Sequence, residues 1–249
     1  MNASTPFDWL LNLGPTPRWP ELRATAPTLC VLQHGLIRSA ASLARLARTL
    51  RAHGYEVLNE TYWSTTAPIE DHARRLAVHV EERLARRREA PPRLAFVGHS
   101  MGGLVIRAYL ARADARAAWA CVFLGTPQRG AQLAALRRRI WPLNLVLDRH
   151  APSQLQPGDP IYARLPRVVA ERIGVIAGGR GDGRGWNESL DGDDDGTVAV
   201  EEARLAEAHD TVILRCGHTR MTVAVPVMRQ VLHFLARGCF ERELQPTPG

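Results

Sequence analysis

The chain has 249 residues, 45% of them apolar and 23% charged, with a formal net charge of +7. That length suits one large domain with a full core, and no apolar run reaches the roughly 18 residues of a membrane-spanning helix. All 32 basic residues are Arg, scattered through Ala- and Leu-rich stretches, with the tightest groups at Arg86-Arg87-Arg88 and Arg137-Arg138-Arg139. No aromatic platform accompanies them, so they read as solvated helix surface and a nucleic-acid partner is not expected. Residues 1–20 lack a basic stretch followed by an apolar core, so no secretion signal is read there. Cys30, Cys121, Cys216 and Cys239 form no C-x-x-C pair, which points to reduced thiols in an intracellular protein, with no metal site.

The chain opens its pattern with an apolar, β-rich run at 29–33 (LCVLQ) that ends at His34-Gly35. Residues 39–53 carry Leu43, Leu46, Ala47 and Leu50 at helical spacing, closed by His53-Gly54. A second strand is predicted at 55–58 and a helix at 69–88, with Ile69, Ala73, Leu76, Val80 and Leu84 inward. Pro91-Pro92 breaks the chain before a buried strand at 94–97, the hexapeptide GHSMGG and a helix over 102–111. Further strands are predicted at 119–124, 171–177 and 211–215, and a last helix at 221–236. Strands alternating with helices imply one domain with a mostly parallel sheet covered on both faces. Two excursions interrupt this rhythm. Residues 127–168 hold Trp141, Leu143, Leu145, Val146, Leu147 and Leu155, and 178–196 (GGRGDGRGWNESLDGDDDG) must be a loop; excursions of such length are usually functional.

Gly98-His99-Ser100-Met101-Gly102 matches G-x-S-x-G, a pattern that recurs by chance and is informative here through its setting. It follows an apolar strand and opens a helix, as a nucleophile elbow requires. Ser100 must then occupy a strained turn, while Gly98, Gly102 and Gly103 let strand and helix backbones approach closely. His99 reads as a wall of the elbow. An acyl-transfer intermediate needs two N–H donors for its oxyanion. Met101, next after the nucleophile, supplies one; Leu36, in the His34-Gly35-Leu36 loop that Gly35 turns towards Ser100, supplies the other.

A Ser hydroxyl needs a base, and neutral imidazole serves near pH 7. Of nine His residues, only His209, His218 and His233 come late enough in the chain. His209 precedes the last strand and His233 lies within a helix, whereas His218 follows the strand directly. The supporting acid should lie on the loop after the penultimate strand, where spacing leaves Asp182, Asp191, Asp193, Asp194 and Asp195 as equals. A solvated loop or an irregular calcium site are the competing readings of that acidic run.

Together these residues resemble a bacterial lipase and esterase group within the α/β-hydrolase superfamily. The pieces are His34-Gly35-Leu36, Tyr62-Trp63-Ser64-Thr65, GHSMGG, Leu124-Gly125-Thr126-Pro127, Asp195-Gly196-Thr197-Val198, His218-Thr219 and the closing VLHFL at 231–235. The resemblance implies the α/β-hydrolase fold and makes Asp195 the triad acid. It places His34, Gly35, His99, Thr126 and Pro127 around the substrate pocket and residues 128–165 as a cap or lid. Strands that many relatives carry before residue 29 are not evident, so the sheet is expected to be shorter at that edge. The implied chemistry is carboxylic ester hydrolysis through an acyl-enzyme, with no cofactor and no membrane insertion. A thioesterase or acyltransferase would use the same triad, and a catalytically silent scaffold would keep only the fold.

Overall fold

The computed structural model describes residues 14–140 and 150–242, with side chains for all of these except 137–140. The side chains of Arg137, Arg138 and Arg139, and the apolar residues Trp141, Leu143, Leu145, Val146 and Leu147 of the expected cap, lie outside the described residues. Six strands are present: β1 Thr28–Gln33, β2 Glu56–Asn59, β3 Arg93–His99, β4 Ala118–Leu124, β5 Ala170–Gly179 and β6 Asp210–Arg215. They form a single sheet in the order β2-β1-β3-β4-β5-β6, every pair parallel. β1 and β4 are buried along their whole length, which is why they read as unbroken apolar runs rather than alternating ones. β6, at the sheet edge, is only partly covered.

Helices close both faces. α1 (Ala44–Ala52) follows β1, α2 (Ile69–Ala85) follows β2 and α3 (Met101–Leu110) follows β3. α4 (Gln132–Ile140) and α5 (Pro160–Arg164) lie between β4 and β5, α6 (Val200–Ala203) precedes β6, and α7 (Val225–Arg237) follows it. α1 and α7 share one core with Cys30, Leu32, Val97 and Val122. α2 and α3 share the other with Leu29, Val31, Phe96 and Phe123. These alternate residues of the same strands sort the two cores by the period-two direction of a strand's side chains.

This is the α/β-hydrolase arrangement expected from the sequence. The differences are at boundaries. The last helix starts at Val225, behind a separate 3-10 turn over Thr219–Thr222, because Pro226 has no N–H to donate and suits a helix's first turn. Among the described residues no strand precedes Thr28; residues before it pack as a 3-10 turn, Pro20–Leu22, whose Leu22 is buried against the α1/α7 core.

The described part of the insertion between β4 and β5 packs on the sheet domain. Ala151, Leu155, Ile161 and Leu165 are buried in the core shared with α2 and α3. Gln154 accepts from the N–H of Ile69 at 2.7 Å and donates to Glu70, and Arg164 pairs with Glu70 at 2.7 Å. These polar contacts fasten the insertion to the first turn of α2, whose N–H groups have no partner within the helix.

Candidate active site

The chain runs outward from β1 to β2 and then back past β1 to β3, so the strand order reverses between β1 and β3. In open parallel sheets the crevice beyond the strand ends at such a reversal is the usual ligand site. Ser100 stands there, at the junction of β3 and α3, with φ 54° and ψ −128°. A non-glycine residue in that region costs about 1–3 kcal/mol and persists only where its surroundings enforce it. They do: the Ser100 N–H donates to the Leu124 carbonyl at 2.9 Å, tying the elbow to the end of β4.

The three glycines of the hexapeptide are explained by what a methyl group would strike. A Cβ on Gly98 would come within 2.6 Å of the Gly103 backbone, and one on Gly103 would strike the Thr126 side chain. One on Gly102 would run into the carbonyl oxygens of Gln33 and His34, at the end of β1. The close approach that brings α3 against β1 is therefore the same one that sets the His34-Gly35-Leu36 loop beside Ser100. Gly35 itself has room for a Cβ only at 3.0 Å from Ser100 Cβ.

Nε2 of His218 lies 3.0 Å from Ser100 Oγ, and Nδ1 lies 2.7 Å from Asp195 Oδ2. The other carboxylate oxygen of Asp195 accepts the N–H groups of Thr197 (2.9 Å) and Val198 (2.7 Å). The His218 N–H donates to the Asp195 carbonyl at 2.8 Å, so the two residues are joined through backbone as well as side chain. The Asp195 side chain is almost wholly buried while that of His218 is partly open. Gly125 makes room for the pair: its φ is +52°, and a Cβ there would sit 3.0 Å from Asp195 Oδ2 and 3.2 Å from His218 Nδ1.

The acidic run divides its labour. Asp193 accepts the N–H groups of Arg180 (2.7 Å) and Gly181 (2.9 Å), closing the loop onto the end of β5. Asp194 is buried and accepts the N–H groups of Trp186, Asn187 and Gly196. Asp182 accepts from Arg184 and Gly185. Only Asp195 among the five candidates bonds to His218. Among the described residues no three His, Cys, Asp or Glu side chains converge as a metal site would require.

Sequence reasoning assigned Leu36 and Met101 to the oxyanion. The Met101 N–H occupies the first turn of α3, where helix N–H groups lack an internal acceptor, and Leu36 follows Gly35 against Ser100. His34 lies behind this loop, fully buried. Its Nδ1 donates to the Gly35 carbonyl at 2.9 Å and its Nε2 accepts the Tyr62 N–H at 3.2 Å. The Tyr62 hydroxyl donates to the His34 carbonyl at 2.7 Å, and the two rings stack. His99 is also buried; its Nε2 donates to the His218 carbonyl at 3.0 Å, and the two rings pack together. Thr126 is buried against Gly103 with Pro127 following.

Three contributors escaped the sequence reading. Tyr62 and Ser64, noticed only as part of a motif, hold the Leu36 loop from the β2 side; Ser64 Oγ accepts the Ile37 N–H at 2.8 Å. Glu202 is buried and accepts the N–H groups of Gln132 (2.7 Å) and Ala199 (2.9 Å), joining the start of α4 to the segment behind Asp195. Burial pushes the Glu202 carboxyl above its ordinary range. Its position three residues after Ala199 was the only available cue, since an acidic residue there commonly caps a helix.

Burial lowers the His34 imidazole to about 4, and drives His99 well below its ordinary value. Both rings therefore stay neutral in the folded protein, as their single-donor bonding requires. As pH falls from about 6.5 to 4 the unfolded chain takes up a proton at position 34 that the folded chain refuses, so stability is lost across that window. Roughly 3 kcal/mol is expected from His34 alone. Urea denaturation between pH 7 and 4 checks this: the stability loss should shrink in His34→Gln, and an unchanged slope would contradict it.

Residues 24–138 match a family model described as "Putative serine esterase (DUF676)". That stretch runs from before β1 into α4, so it contains Leu36 and Ser100 but not Asp195 or His218. No curated protein is detectably similar in sequence. Among solved structures, the mature form of a Bacillus licheniformis lipase has a TM-score of 0.63 at 20% identity, over 86% of this chain and 94% of that one. A Legionella pneumophila phospholipase has a TM-score of 0.64 at 14% identity, over 86% of this chain and 60% of the longer neighbour. A type II thioesterase from the borrelidin biosynthetic cluster has a TM-score of 0.54 at 16% identity, over 88% and 95%. At these identities the likeness is one of fold, and it agrees with the resemblance to bacterial lipases and esterases read from the sequence.

Proposed function

We propose that this chain of α/β-hydrolase fold is a serine hydrolase that cleaves carboxylic esters through an acyl-enzyme. The observation that carries the reading is the unbroken line from Ser100 Oγ through His218 to Asp195, at 3.0 and 2.7 Å, with the serine held in a strained elbow. Ser100 Oγ attacks the ester carbonyl while His218 Nε2 takes its proton. Asp195 holds the proton on Nδ1 and stabilises the imidazolium that forms. The N–H groups of Met101 and Leu36 receive the oxyanion. The imidazolium then protonates the departing alcohol, and water, activated by the same imidazole, releases the acid and restores Ser100. His34 and Tyr62 act through the loop they hold, and His99 through the backbone of His218.

The family match and the lipase fold support an ester over other acyl donors. A thioester would meet the same groups, and the thioesterase among the structural neighbours keeps that reading in view. The test is hydrolysis of p-nitrophenyl esters from C2 to C16 beside the matching acyl thioesters, with a fluorophosphonate to label the nucleophile. Turnover of esters and a phosphonylated peptide carrying Ser100 are expected. Turnover confined to thioesters would move the assignment to a thioesterase; no label and no turnover would leave a silent scaffold.

A further inference from the structure

Among the described residues only two non-glycine residues have a left-handed backbone, Ser100 and Ile37, both at φ 54°. The elbow accounts for Ser100. Ile37 has no such account, because a β-branched side chain is among the least suited to that region. Packing does not hold it there either, since Ile37 is 59% exposed. The backbone is fixed by the Ile37 N–H donating to Ser64 Oγ, and Gly would make the same turn with less strain. Beside Ser64 stands Trp63, 52% exposed. Two large apolar side chains, from the connections after β1 and β2, are thus presented to solvent at the C-terminal end of the sheet, next to the Leu36 loop.

Two guanidinium groups stand beside Ile37. Arg38 donates to Thr219 Oγ1 at 3.1 Å, bridging from the β1 connection to the residue after His218, and the exposed Arg220 follows. The exposed Glu60 is the acid nearest to Trp63 in the chain. An exposed aliphatic and indole pair flanked by guanidinium groups matches an anionic lipid surface, with apolar groups entering at the headgroup boundary and Arg meeting phosphates.

We propose that Ile37 and Trp63, with Arg38 and Arg220, are a docking surface for anionic lipid that delivers the ester to Ser100. The delivery rests on the ester-hydrolase reading; the docking does not.

The experiment measures co-sedimentation of the full chain, as Ser100→Ala, with phosphatidylglycerol or phosphatidylcholine vesicles. Binding is expected on phosphatidylglycerol, about tenfold weaker on phosphatidylcholine and similarly weakened near 1 M salt. In the same background Ile37→Gly and Trp63→Ala should each weaken phosphatidylglycerol binding about tenfold. Ile37→Gly should also raise Tm by about 2–4 °C as strain is relieved, which separates lost binding from lost folding. Equal binding to both lipids, no binding to either, undiminished binding by Ile37→Gly, or a lowered Tm in that variant would each overturn the proposal. Vesicle binding by a chain whose wild type hydrolyses nothing would keep the surface and remove the esterase reading; ester turnover without vesicle binding would do the reverse.

Discussion

Ser100→Ala is expected to lower kcat/KM on a p-nitrophenyl ester by about 10⁵-fold or more, and His218→Ala by a similar factor. A nucleophile and its base act as a unit, so on the proposed mechanism the double variant should be no worse than either single one. Asp195→Asn should lower kcat by about 10⁴-fold with little change in KM. An amide at 195 can turn its NH₂ towards His218 Nδ1 and favour the wrong tautomer, while its oxygen still accepts from Thr197 and Val198. Asp194→Asn is the informative neighbour. Its carboxylate accepts three loop N–H groups and does not touch His218, so the change should cost about 1–3 kcal/mol of stability with a far smaller loss of kcat. Steady-state kinetics with a denaturation curve for each variant decides it. If Asp195→Asn kept activity within tenfold while Asp194→Asn lost it, the acid would be misassigned.

Gly102→Ala is expected to destabilise the fold by about 3 kcal/mol or more and to abolish activity in whatever protein folds. The added methyl meets two backbone carbonyls at the end of β1, the nearer that of Gln33 and the other that of His34 at 2.5 Å. Backbone in a buried central strand cannot swing aside as a side chain end can. Relief would require α3 to lift from β1, which separates Ser100 from the Leu36 loop. Gly217→Ala, beside His218, supplies the contrast. Its nearest neighbour would be the Asp195 carbonyl oxygen at an ordinary 3.7 Å, so its stability should change by less than about 1 kcal/mol. Thermal melts of both variants test the difference; a Gly102→Ala protein as stable as its parent would show that the helix is not held against the strand as described.

The hydrogen-bonded line from Ser100 through His218 to Asp195 was legible to different depths at its three members. Ser100 announced itself because the elbow is a local device: strand, tight turn and helix are consecutive in the chain, and the glycines needed for their close approach must stand at fixed spacings. His218 could be found by position, since it is the His that directly follows the last strand. Asp195 could not be separated from its neighbours by spacing, and only the family resemblance singled it out. The five candidate acids share one loop, and which carboxylate faces the imidazole depends on how that loop folds back over Gly178 and Gly125. His34 and His99 were readable as neighbours of the site, but not as buried neutral rings bonded to backbone, because their partners Tyr62 and His218 are 28 and 119 residues distant.

By itself the sequence determined the alternation of strands and helices, the two-sided burial of the sheet and the elbow, all of which follow from short-range periodicity and steric demands on consecutive residues. The tertiary structure alone decided the strand order with its reversal at β1, which backbone groups each loop carboxylate accepts, the Glu202 link and the exposed, strained Ile37. Those features depend on contacts between segments far apart in the chain, and no local pattern of residue types encodes which partner a buried polar group or a twisted turn will meet.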